Sequence, residues 1–201
     1  MKKILTVQEK FWSGNFGNKY INRNKKANLR KNFWELILNK IKVRTVFELG
    51  TNAGFNLDAI KLVNKKIDTY GIEINNKARS VANKKGHNIY KGSLNQKIKL
   101  KKKFNLSITS SVLIHINPKK LKFAYANVNN LSSKYILINE YHSPYPVVVK
   151  YRGHNNMLFK RDFALEISKR YKYKLIDYGF LWKNDKSNFY EDMNWFLFKK
   201  K

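Results

Sequence analysis

The feature that most constrains the fold is a regular alternation of two sequence patterns between residues 43 and 141. One pattern is a short apolar run rich in β-branched residues, such as VRTVFELG and DTYGIEIN, which is typical of buried strands. The other is an amphipathic run, such as residues 53–65, in which apolar side chains recur at helical spacing. The alternation predicts an α/β fold with a parallel sheet and helices on both faces.

Two further apolar runs, KLIDYGFLWK and NWFLFKK, lie close together near the C-terminus and are separated by a polar loop. Strands so near each other form a hairpin, so one of them is antiparallel to its neighbour. With the five strands of the alternating part, they predict a mainly parallel seven-stranded sheet that ends in an antiparallel hairpin. A chain of 201 residues without a linker or an internal repeat predicts a single domain, residues 1–201.

Lysine and arginine outnumber aspartate and glutamate by 42 to 13, which gives a formal net charge of +29. A strongly basic surface attracts phosphate groups, so a nucleic-acid partner is one interpretation. The favoured interpretation is compositional, because lysine, asparagine, isoleucine, tyrosine and phenylalanine are all abundant and have AT-rich codons. Lysine is also a less specific ligand for phosphate than arginine. Nucleic acid is therefore the less favoured alternative to a small-molecule partner.

Several classes of site are excluded by what the sequence lacks. There is no cysteine, which rules out disulfides and thiolate metal sites. No histidine pair or acidic cluster has metal-ligand spacing, so we expect metal independence. The start, MKKILTVQEKFW, is not a signal peptide, and no segment reaches the roughly 20 apolar residues of a membrane helix. We expect a cytoplasmic protein without a membrane span, and the oligomeric state stays open.

The motif ELGTNAG, residues 48–54, stands where the first strand turns into a helix. Gly50 and Gly54 allow the backbone to approach a ligand closely, and the next helix offers unpaired N–H groups. The motif lacks the G-x-G-x-x-G spacing of dinucleotide sites and the lysine of a phosphate-binding loop. Glu48 would repel a pyrophosphate, whereas it suits a positively charged ligand.

Two more strand ends carry candidate ligand-binding groups. Glu73 ends the second strand, 19 residues after Gly54, where a carboxylate can accept hydrogen bonds from both hydroxyls of a ribose. The third strand ends in KGSL, residues 91–94, where a loop can border an adenine ring. Because the carboxyl ends of parallel strands share one edge of the sheet, we expect the three features to form one site.

Together these features resemble the class I S-adenosylmethionine-dependent methyltransferases over residues 43–141. The resemblance implies a Rossmann-like fold, S-adenosyl-L-methionine (SAM) as cofactor and S-adenosyl-L-homocysteine (SAH) as product. It places the acid and glycines of the first motif at the methionine part of SAM, and the second acid at the ribose. The residues expected to face the cofactor are Trp12, Tyr20, Arg23, Glu48, Gly50, Thr51, Asn52, Gly54, Asn56, Glu73, Ile74, Gly92, Ser93, Leu94, Ser110 and Ser111.

A narrower resemblance runs nearly end to end, from Phe11 to Phe198. The pseudaminic-acid-biosynthesis-associated methylases look similar in the segments FWSGNFGNKYINRN, VLIHINP, YILINEY, YRGHNNMLFKRDFA and DYGFLW. The likeness implies a small anionic acceptor, a nonulosonic sugar of the pseudaminic type or its precursor. We expect a lid and helix region (1–40), a cofactor-binding core (41–141), and a substrate loop, helix and closing hairpin (142–201).

This chain departs from the narrower pattern at two places. The opening motif is usually acidic where this chain has Asn15 and Asn18, and the fourth strand usually begins with Phe-Asp where it has Phe104-Asn105. In the class, an aspartate or asparagine near that strand often positions the methyl acceptor. The uncharged Asn105 weighs against proton abstraction at this position.

The candidates for methyl transfer follow the fourth and fifth strands. His115 comes after the fourth strand, and Glu140, Tyr141 and His142 come at the end of the fifth, so all are expected on the side where the methyl leaves. Amine and hydroxyl acceptors also need a base, which contributes about 10²–10⁴-fold. We favour His115 and His154 for a role, with Glu140 or Tyr141 positioning the acceptor. The alternative for each histidine is a structural role.

Arg152 lies in the stretch that follows the fifth strand. We expect its guanidinium to bind an anionic group of the acceptor through a bidentate contact. The alternative is an ion pair with Glu140 or Asp162. The remaining histidine, His87, falls in a connecting loop and is expected at the surface.

Residues 11–24 are expected to fold over the cofactor as a lid. Trp12, Phe16 and Tyr20 are candidates for cation–π or stacking contacts with the sulfonium or the adenine, and Arg23 for the methionine carboxylate. The alternative is that these aromatic side chains only pack on the sheet.

Three functional classes remain open. The first is a small-molecule methyltransferase for a sugar or related anionic metabolite, with oxygen or nitrogen as the acceptor atom. The second is an RNA or protein methyltransferase that holds its target on the lysine-rich surface, although the sequence lacks the Asn-Pro-Pro-Tyr motif used for base amines. The third is a protein that binds the cofactor without turnover.

Overall fold

The computed structural model describes residues 4–23 and 30–201. The described strands are β1 (Thr45–Leu49), β2 (Asp68–Glu73), β3 (Asn88–Lys91), β4 (Phe104–Ser110), β5 (Ser132–Glu140), β6 (Val147–Tyr151), β7 (His154–Lys160), β8 (Tyr173–Leu181) and β9 (Met193–Lys200). Seven of them form one sheet in the order β3-β2-β1-β4-β5-β9-β8. Strands β1 to β5 run parallel, and β9 is antiparallel to both β5 and β8. The expected parallel sheet with its closing hairpin is confirmed.

Helices cover both faces of this sheet. The described α-helices are α1 (Val7–Ser13), α2 (Asn15–Tyr20), α3 (Lys31–Asn39), α4 (Phe55–Val63), α5 (Asn76–Lys84), α6 (Leu121–Leu131) and α7 (Phe163–Arg170). Trp34 of α3 and Ile60 of α4 belong to the apolar core on one face. Val128 of α6 and Ile167 of α7 belong to the core on the other. Among the described residues, no helix is both long enough and apolar enough to cross a membrane.

The stretch after β5 differs from the expected substrate loop, because it forms a second, two-stranded sheet from β6 and β7. The β-branched run VVVKY favours a strand, and it pairs antiparallel with the segment that follows the turn. Arg152 and Gly153 form the turn, with φ of 49° and 85°. Two successive residues with positive φ are typical of the tight turns that join antiparallel strands. The Arg-Gly-His triplet is therefore the tip of a hairpin.

His87 is buried, so the expectation of a surface histidine was wrong. Its Nδ1 lies 2.8 Å from the Thr69 hydroxyl and its Nε2 lies 2.9 Å from Asp58 Oδ1. The ring also packs against the turn at Gly54, where an added Cβ would lie 2.8 Å from His87 Cδ2. The connection between α5 and β3 is short, so it holds His87 against the Gly54 turn. The position of His87 in the sequence did not indicate this burial.

Candidate active site

A cavity of about 160 Å³ opens at the carboxyl ends of β1, β2 and β4. This is the edge of a parallel sheet at which ligands of doubly wound folds bind. Helices α1 and α2, near the N-terminus of the chain, cover it. The expected residues that line it are Trp12, Tyr20, Glu48, Gly50, Thr51, Asn52, Asn56, Glu73, Ile74, Gly92, Ser93, Leu94, Ser110, Ser111 and His115.

The first glycine turn brings backbone close to both the cavity and β4. Gly50 has φ of 75°, and a Cβ added there would collide with the Val112 side chain, so glycine is required. Asn52 also has positive φ, 51°, in the loop that faces the cavity. Gly54 does not line the cavity. It precedes α4 with φ of 80°, so its role is to turn the chain into the helix.

The β1 end of the cavity is a buried polar network around Glu48. Asn56 Nδ2 donates to Glu48 Oε1 at 2.6 Å. Asn56 Oδ1 accepts from Arg30 Nη1 at 2.8 Å and from the Tyr190 hydroxyl at 2.9 Å. The Arg30 guanidinium also lies 4.9 Å from the centre of the Tyr190 ring. Three separate parts of the chain therefore build one end of the cavity: Arg30, the Glu48–Asn56 pair and Tyr190.

Two atoms of this network lack a hydrogen-bond partner within the described chain, although both are buried: Glu48 Oε2 and Arg30 Nε. Burial raises the pKa of Glu48 to about 8, against the lowering effects of the Asn56 hydrogen bond and the Arg30 charge. A buried carboxyl oxygen and a buried guanidinium N–H without partners each cost free energy unless a ligand satisfies them.

Glu73 is fixed by backbone donors at the end of β2. Its Oε2 accepts from Asn52 N and its Oε1 from Asn75 N, both at 2.7 Å. Burial raises its pKa, and the backbone hydrogen bonds act in the opposite direction. Each carboxylate oxygen has further lone pairs, so the group remains able to accept from a ligand diol.

The opposite end of the cavity is bordered by the loop after β3. Glu9 of α1 accepts a short hydrogen bond from the Ser93 hydroxyl. Burial alone would raise the pKa of Glu9, but hydrogen bonds from Ser93, Thr6 and Asn95 lower it to about 2. Asn95 Nδ2 donates to the Thr6 hydroxyl at 3.2 Å, whereas its buried Oδ1 has no partner among the described residues.

Asn75 ties helices α1 and α2 to the end of β2 above the cavity. Asn75 Nδ2 donates to Trp12 O at 3.0 Å and to Asn18 Oδ1 at 2.9 Å. Gly17 lines the cavity at a place where an added Cβ would clash with Trp12 O and lie 2.8 Å from Asn75 Nδ2. Phe16 does not line the cavity and stacks on another aromatic ring of the cover instead. Two parts of the expected lid, the side chain of Arg23 and residue 24, lie outside what the structure describes.

His115 lies at the acceptor side of the cavity, in a short 3-10 turn after β4. Its Nδ1 lies 2.6 Å from Met157 O; because a carbonyl only accepts, Nδ1 carries the hydrogen and Nε2 keeps the lone pair. Burial lowers the pKa of His115 to about 4, against the raising effect of the Met157 carbonyl. The ring packs against Trp12 at 4.5 Å and Tyr151 at 4.9 Å between centroids.

The residues at the end of β5 do not meet His115 in this cavity. Glu140 is buried, and its Oε1 accepts from Val112 N at 3.2 Å and Leu113 N at 3.1 Å, at the start of the turn that carries His115. Burial raises the pKa of Glu140 to about 7. Together with Tyr141 and His142, Glu140 lines a separate small recess.

Arg152 and His154 both lie outside the cavity lining, on the β6–β7 hairpin. His154 is exposed and packs edge-on against Phe11, with ring centroids 4.9 Å apart. The Arg152 guanidinium lies 5.7 Å from the centre of the Tyr151 ring and hydrogen-bonds to that side chain, which raises the pKa of Arg152. Within the described ranges it forms no ion pair with Glu140 or Asp162, so that alternative is not seen.

Asn105 lies at the amino end of β4, the end remote from the cavity. Its Oδ1 accepts from the backbone N–H groups of Arg44 at 2.8 Å and Thr45 at 3.2 Å. The side chain therefore ties β4 to the start of β1 and does not line the cavity.

Sequence reasoning missed a further set of residues that line the cavity: Gln8, Glu9, Gly17, Arg30, Phe55, Ile72, Asn75, Ala78, Asn95, Val112, Ile116 and Tyr190. Asn75 had a signal, since an asparagine just before a helix is a typical N-cap, and its side chain accepts from Ala78 N. Arg30 and Tyr190 had none, because they reach the cavity only through tertiary packing.

Comparisons with known proteins bear on the fold. No protein-family model and no curated protein matches the sequence. The magnesium protoporphyrin IX methyltransferase of Synechocystis PCC 6803 with bound SAM has a TM-score of 0.67 at 11% identity and covers 100% of both chains. A SAM-dependent methyltransferase of Clostridium acetobutylicum ATCC 824 has a TM-score of 0.64 at 11% identity, over 92% of this chain and 99% of that one.

A third solved structure, the glycopeptide N-methyltransferase MtfA complexed with SAM, gives a TM-score of 0.62 at 11% identity, over 86% of this chain and 87% of that one. Likeness at this level of identity concerns the fold. The chain therefore has the Rossmann-like fold of the class I SAM-dependent methyltransferases.

Proposed function

We propose that this protein is a SAM-dependent methyltransferase that methylates a small anionic metabolite and releases SAH. The observation that carries the proposal is a set of buried polar atoms without partners in the described chain, on side chains that line one cavity: Glu48 Oε2, Arg30 Nε and Asn95 Oδ1. A carboxylate oxygen, a guanidinium N–H and an amide oxygen complement an ammonium, a carboxylate and an adenine amino group, which are the polar ends of SAM.

The methionine end of SAM fits the network at β1. Glu48 would pair with the ammonium through Oε2, and Arg30 would donate from Nε to the carboxylate. Asn56 holds both groups in place, since it contacts Glu48 at 2.6 Å and Arg30 at 2.8 Å. Arg30 thereby takes the role that the sequence assigned to Arg23, whose side chain lies outside the described residues.

The adenosine part fits the rest of the cavity. Glu73 would accept from the ribose hydroxyls, as it already accepts two backbone N–H groups that fix its orientation. Ile74 and Leu94 supply apolar contacts for the adenine, and Asn95 Oδ1 would accept from its exocyclic amine. Trp12 and Tyr20 lie on the covering helices, where an aromatic face can stabilise a sulfonium through a cation–π contact.

His115 is the residue we propose as the base. SAM supplies an activated methyl group, so the chain chiefly aligns the acceptor with it. The acceptor's lone pair forms the new bond to carbon while the electrons of the carbon–sulfur bond return to sulfur. His115 Nε2 would take the acceptor's proton, since Nδ1–H is held by Met157 O. A weakly basic imidazole is sufficient, because a hydroxyl becomes strongly acidic as the new bond forms.

An anionic acceptor is supported by the β6–β7 hairpin. Arg152 contacts Tyr151, and Tyr151 lies 4.9 Å from His115, so one side chain separates the exposed guanidinium from the proposed base. The positive φ of Arg152, 49°, is uncommon for a residue with a long side chain. A nonulosonic sugar carries a carboxylate that suits this arginine, in agreement with the narrower sequence resemblance.

Affinity for SAM fragments tests the cofactor assignment. We expect SAM and SAH to bind in calorimetry, and methylthioadenosine, which lacks the amino acid, to bind at least tenfold more weakly because it leaves Glu48 and Arg30 unpaired. Equal affinities for SAH and methylthioadenosine would remove the assignment of the methionine end. Labelled SAM incubated with small-molecule and macromolecular fractions of a host extract then identifies the acceptor class.

The acceptor anchor has its own test. Once an acceptor is found, Arg152→Ala should raise its KM about tenfold or more while the Kd for SAM stays unchanged. Lys150→Ala, on the same hairpin, is the matched charge control and should leave both constants unchanged. An unchanged KM in Arg152→Ala would end the anchor hypothesis.

A further inference from the structure

The β8–β9 hairpin presents aromatic side chains that the proposed methyl-transfer site does not use. Tyr178 and Phe180 of β8 are 65% and 56% exposed, and Trp182 just beyond the strand is 55% exposed. In a strand, alternate residues share a face, so Tyr178 and Phe180 lie on the same side of the sheet. Strand β8 is also the last in the sheet order, so it has a strand neighbour on one side only.

This aromatic face is held rigidly from behind. Between Tyr178 and Phe180 lies Gly179, where an added Cβ would be 2.8 Å from the Trp195 indole on the opposite face. On the exposed face, the Tyr178 ring stacks on Phe196 of β9 at 6.1 Å and an interplanar angle of 13°. The plane of the Tyr178 ring is therefore held in place, which lowers the entropic cost of binding a planar partner.

Basic groups stand at both ends of this strand. Lys172 and Lys174 flank its start and Lys186 follows its end, all exposed, and none has an ion-pair partner in the part of the chain that the structure describes. Lys183, next to Trp182, lies 4.0 Å from Asp192, so the unpaired lysines stand at the two ends of the row of rings. Exposed aromatic rings with unpaired lysines nearby are a combination that binds single-stranded nucleic acid, through base stacking and phosphate attraction.

The net charge helps to choose the occupant. Two copies of this chain, each with a net charge of +29, would repel each other, whereas the same charge attracts a polyanion. An anionic lipid surface satisfies the lysines but offers no planar groups to stack on the rings. We propose that the exposed face of β8, formed by Tyr178, Phe180 and Trp182, binds a single-stranded nucleic acid. Tyr178 to Trp182 spans four residue steps of about 3.3 Å, roughly 13 Å, enough for a few nucleotides of a single strand.

The proposal does not depend on the methyltransferase assignment, and it is tested by anisotropy with a fluorescein-labelled 12-nucleotide RNA of mixed sequence. At physiological salt we expect a Kd of about 1–100 µM. The double variant Tyr178→Ala/Phe180→Ala, which keeps the charge, should weaken binding about tenfold or more. Tyr145→Ala, at an aromatic residue that is 76% exposed elsewhere, is the matched control and should change the Kd by less than twofold. A DNA of the same sequence shows whether the sugar matters.

Polyphosphate, which has charge but no bases, should bind the wild type and the double variant equally. The proposal is overturned if the RNA shows no binding, or if the double variant binds RNA as the wild type does. It is also overturned if the double variant loses binding to phosphatidylserine vesicles, or if sedimentation shows a wild-type dimer that the variant dissociates. Ultraviolet crosslinking of the RNA to wild-type protein gives a test without variants, with crosslinks expected at Tyr178, Phe180 or Trp182.

Discussion

The cofactor half and the acceptor half of the cavity hold their functional groups in different ways. In the cofactor half, Glu73 is oriented by backbone N–H groups that lie 21 and 2 residues away in sequence, and Glu48 by Asn56, eight residues on. In the acceptor half, His115 is oriented by Met157, 42 residues away, on a separate hairpin. The two carboxylates of the first half are held by the turns of the sheet, with Arg30 and Tyr190 added by tertiary packing. The second half is assembled from segments that only tertiary packing brings together.

This difference has a functional consequence. Groups fixed by neighbouring backbone keep their geometry whatever happens elsewhere in the chain, which suits the binding of a constant cofactor. The exposed tip of the hairpin, which carries Arg152, can change without disturbing the core, which suits the recognition of a particular acceptor. We therefore expect substitutions in the acceptor half to change turnover and substitutions in the cofactor half to change SAM affinity.

The largest effect is expected from His115→Ala. Loss of the proposed base should lower kcat by about 10²–10⁴-fold, whereas the Kd for SAM in calorimetry should change by less than about threefold. His154→Ala is the matched control, because this histidine is exposed and packs outside the cavity. Similar kcat values for the two variants would show that His115 is structural.

Glu73→Ala should give the next largest effect, on SAM affinity. The variant removes the proposed ribose acceptor and leaves the N–H groups of Asn52 and Asn75 unpaired, so we expect the Kd to rise on the order of 100-fold or more. Asp68→Ala, at the exposed start of the same strand, is the control and should bind SAM normally. Normal binding by both variants would contradict the assignment of Glu73.

A smaller effect is expected from Gly17→Ala in the covering helices. The added methyl group would clash with Trp12 O and approach Asn75 Nδ2, so the cover must shift. We expect SAM affinity to fall about tenfold, with Asn15→Ala on the same helix as a neutral control. If affinity is unaltered, α1 and α2 only pack on the sheet.

The smallest effect concerns the pH dependence of stability, at His115 and at Glu140, which holds the start of the turn that carries His115. The pKa of Glu140 is raised to about 7, so its contribution to stability is present below its unfolded value and is lost as pH rises through 7. The pKa of His115 is lowered to about 4, so its contribution is present above its unfolded value and is lost as pH falls through 4. The two contributions oppose each other between these values.

Urea unfolding at pH 5 and pH 7.5 separates the two. Glu140→Gln removes the alkaline loss, so the variant should gain stability relative to wild type at the higher pH, by on the order of 1–3 kcal/mol. Glu35→Gln, at an exposed carboxyl paired with Lys31, is the control. It should change the free energy of unfolding by the same amount at pH 5 and at pH 7.5. Parallel pH dependences for wild type and Glu140→Gln would contradict the raised pKa.

The same division explains what the sequence allowed us to predict. The sheet, its closing hairpin and the turns at Gly50 and Glu73 follow from local patterns, namely apolar periodicity, glycine position and the acid at a strand end. The carboxyl ends of parallel strands lie at one edge of the sheet. The residues that follow the first three strands could therefore be predicted to share a site, and they line the cavity.

The remainder depends on contacts that no local pattern encodes. Arg30 and Tyr190 meet at Asn56 from opposite ends of the chain. Glu140 was expected at the acceptor, but it accepts from the turn before His115 because the end of β5 lies behind that turn. Likewise, the hairpin that carries Arg152 is formed by pairing between β6 and β7, which the sequence pattern did not predict.

The central claim, that one preformed cavity binds SAM, is tested most directly by calorimetric titration of the wild-type protein with SAM at pH 7. The account predicts one site per chain, with a Kd between about 1 µM and 1 mM. It also predicts proton release, because the ammonium favours ionisation of Glu48, whose pKa is raised to about 8 by burial. Absence of binding at millimolar SAM, or binding that Glu48→Gln leaves unchanged in affinity and in proton release, would contradict it.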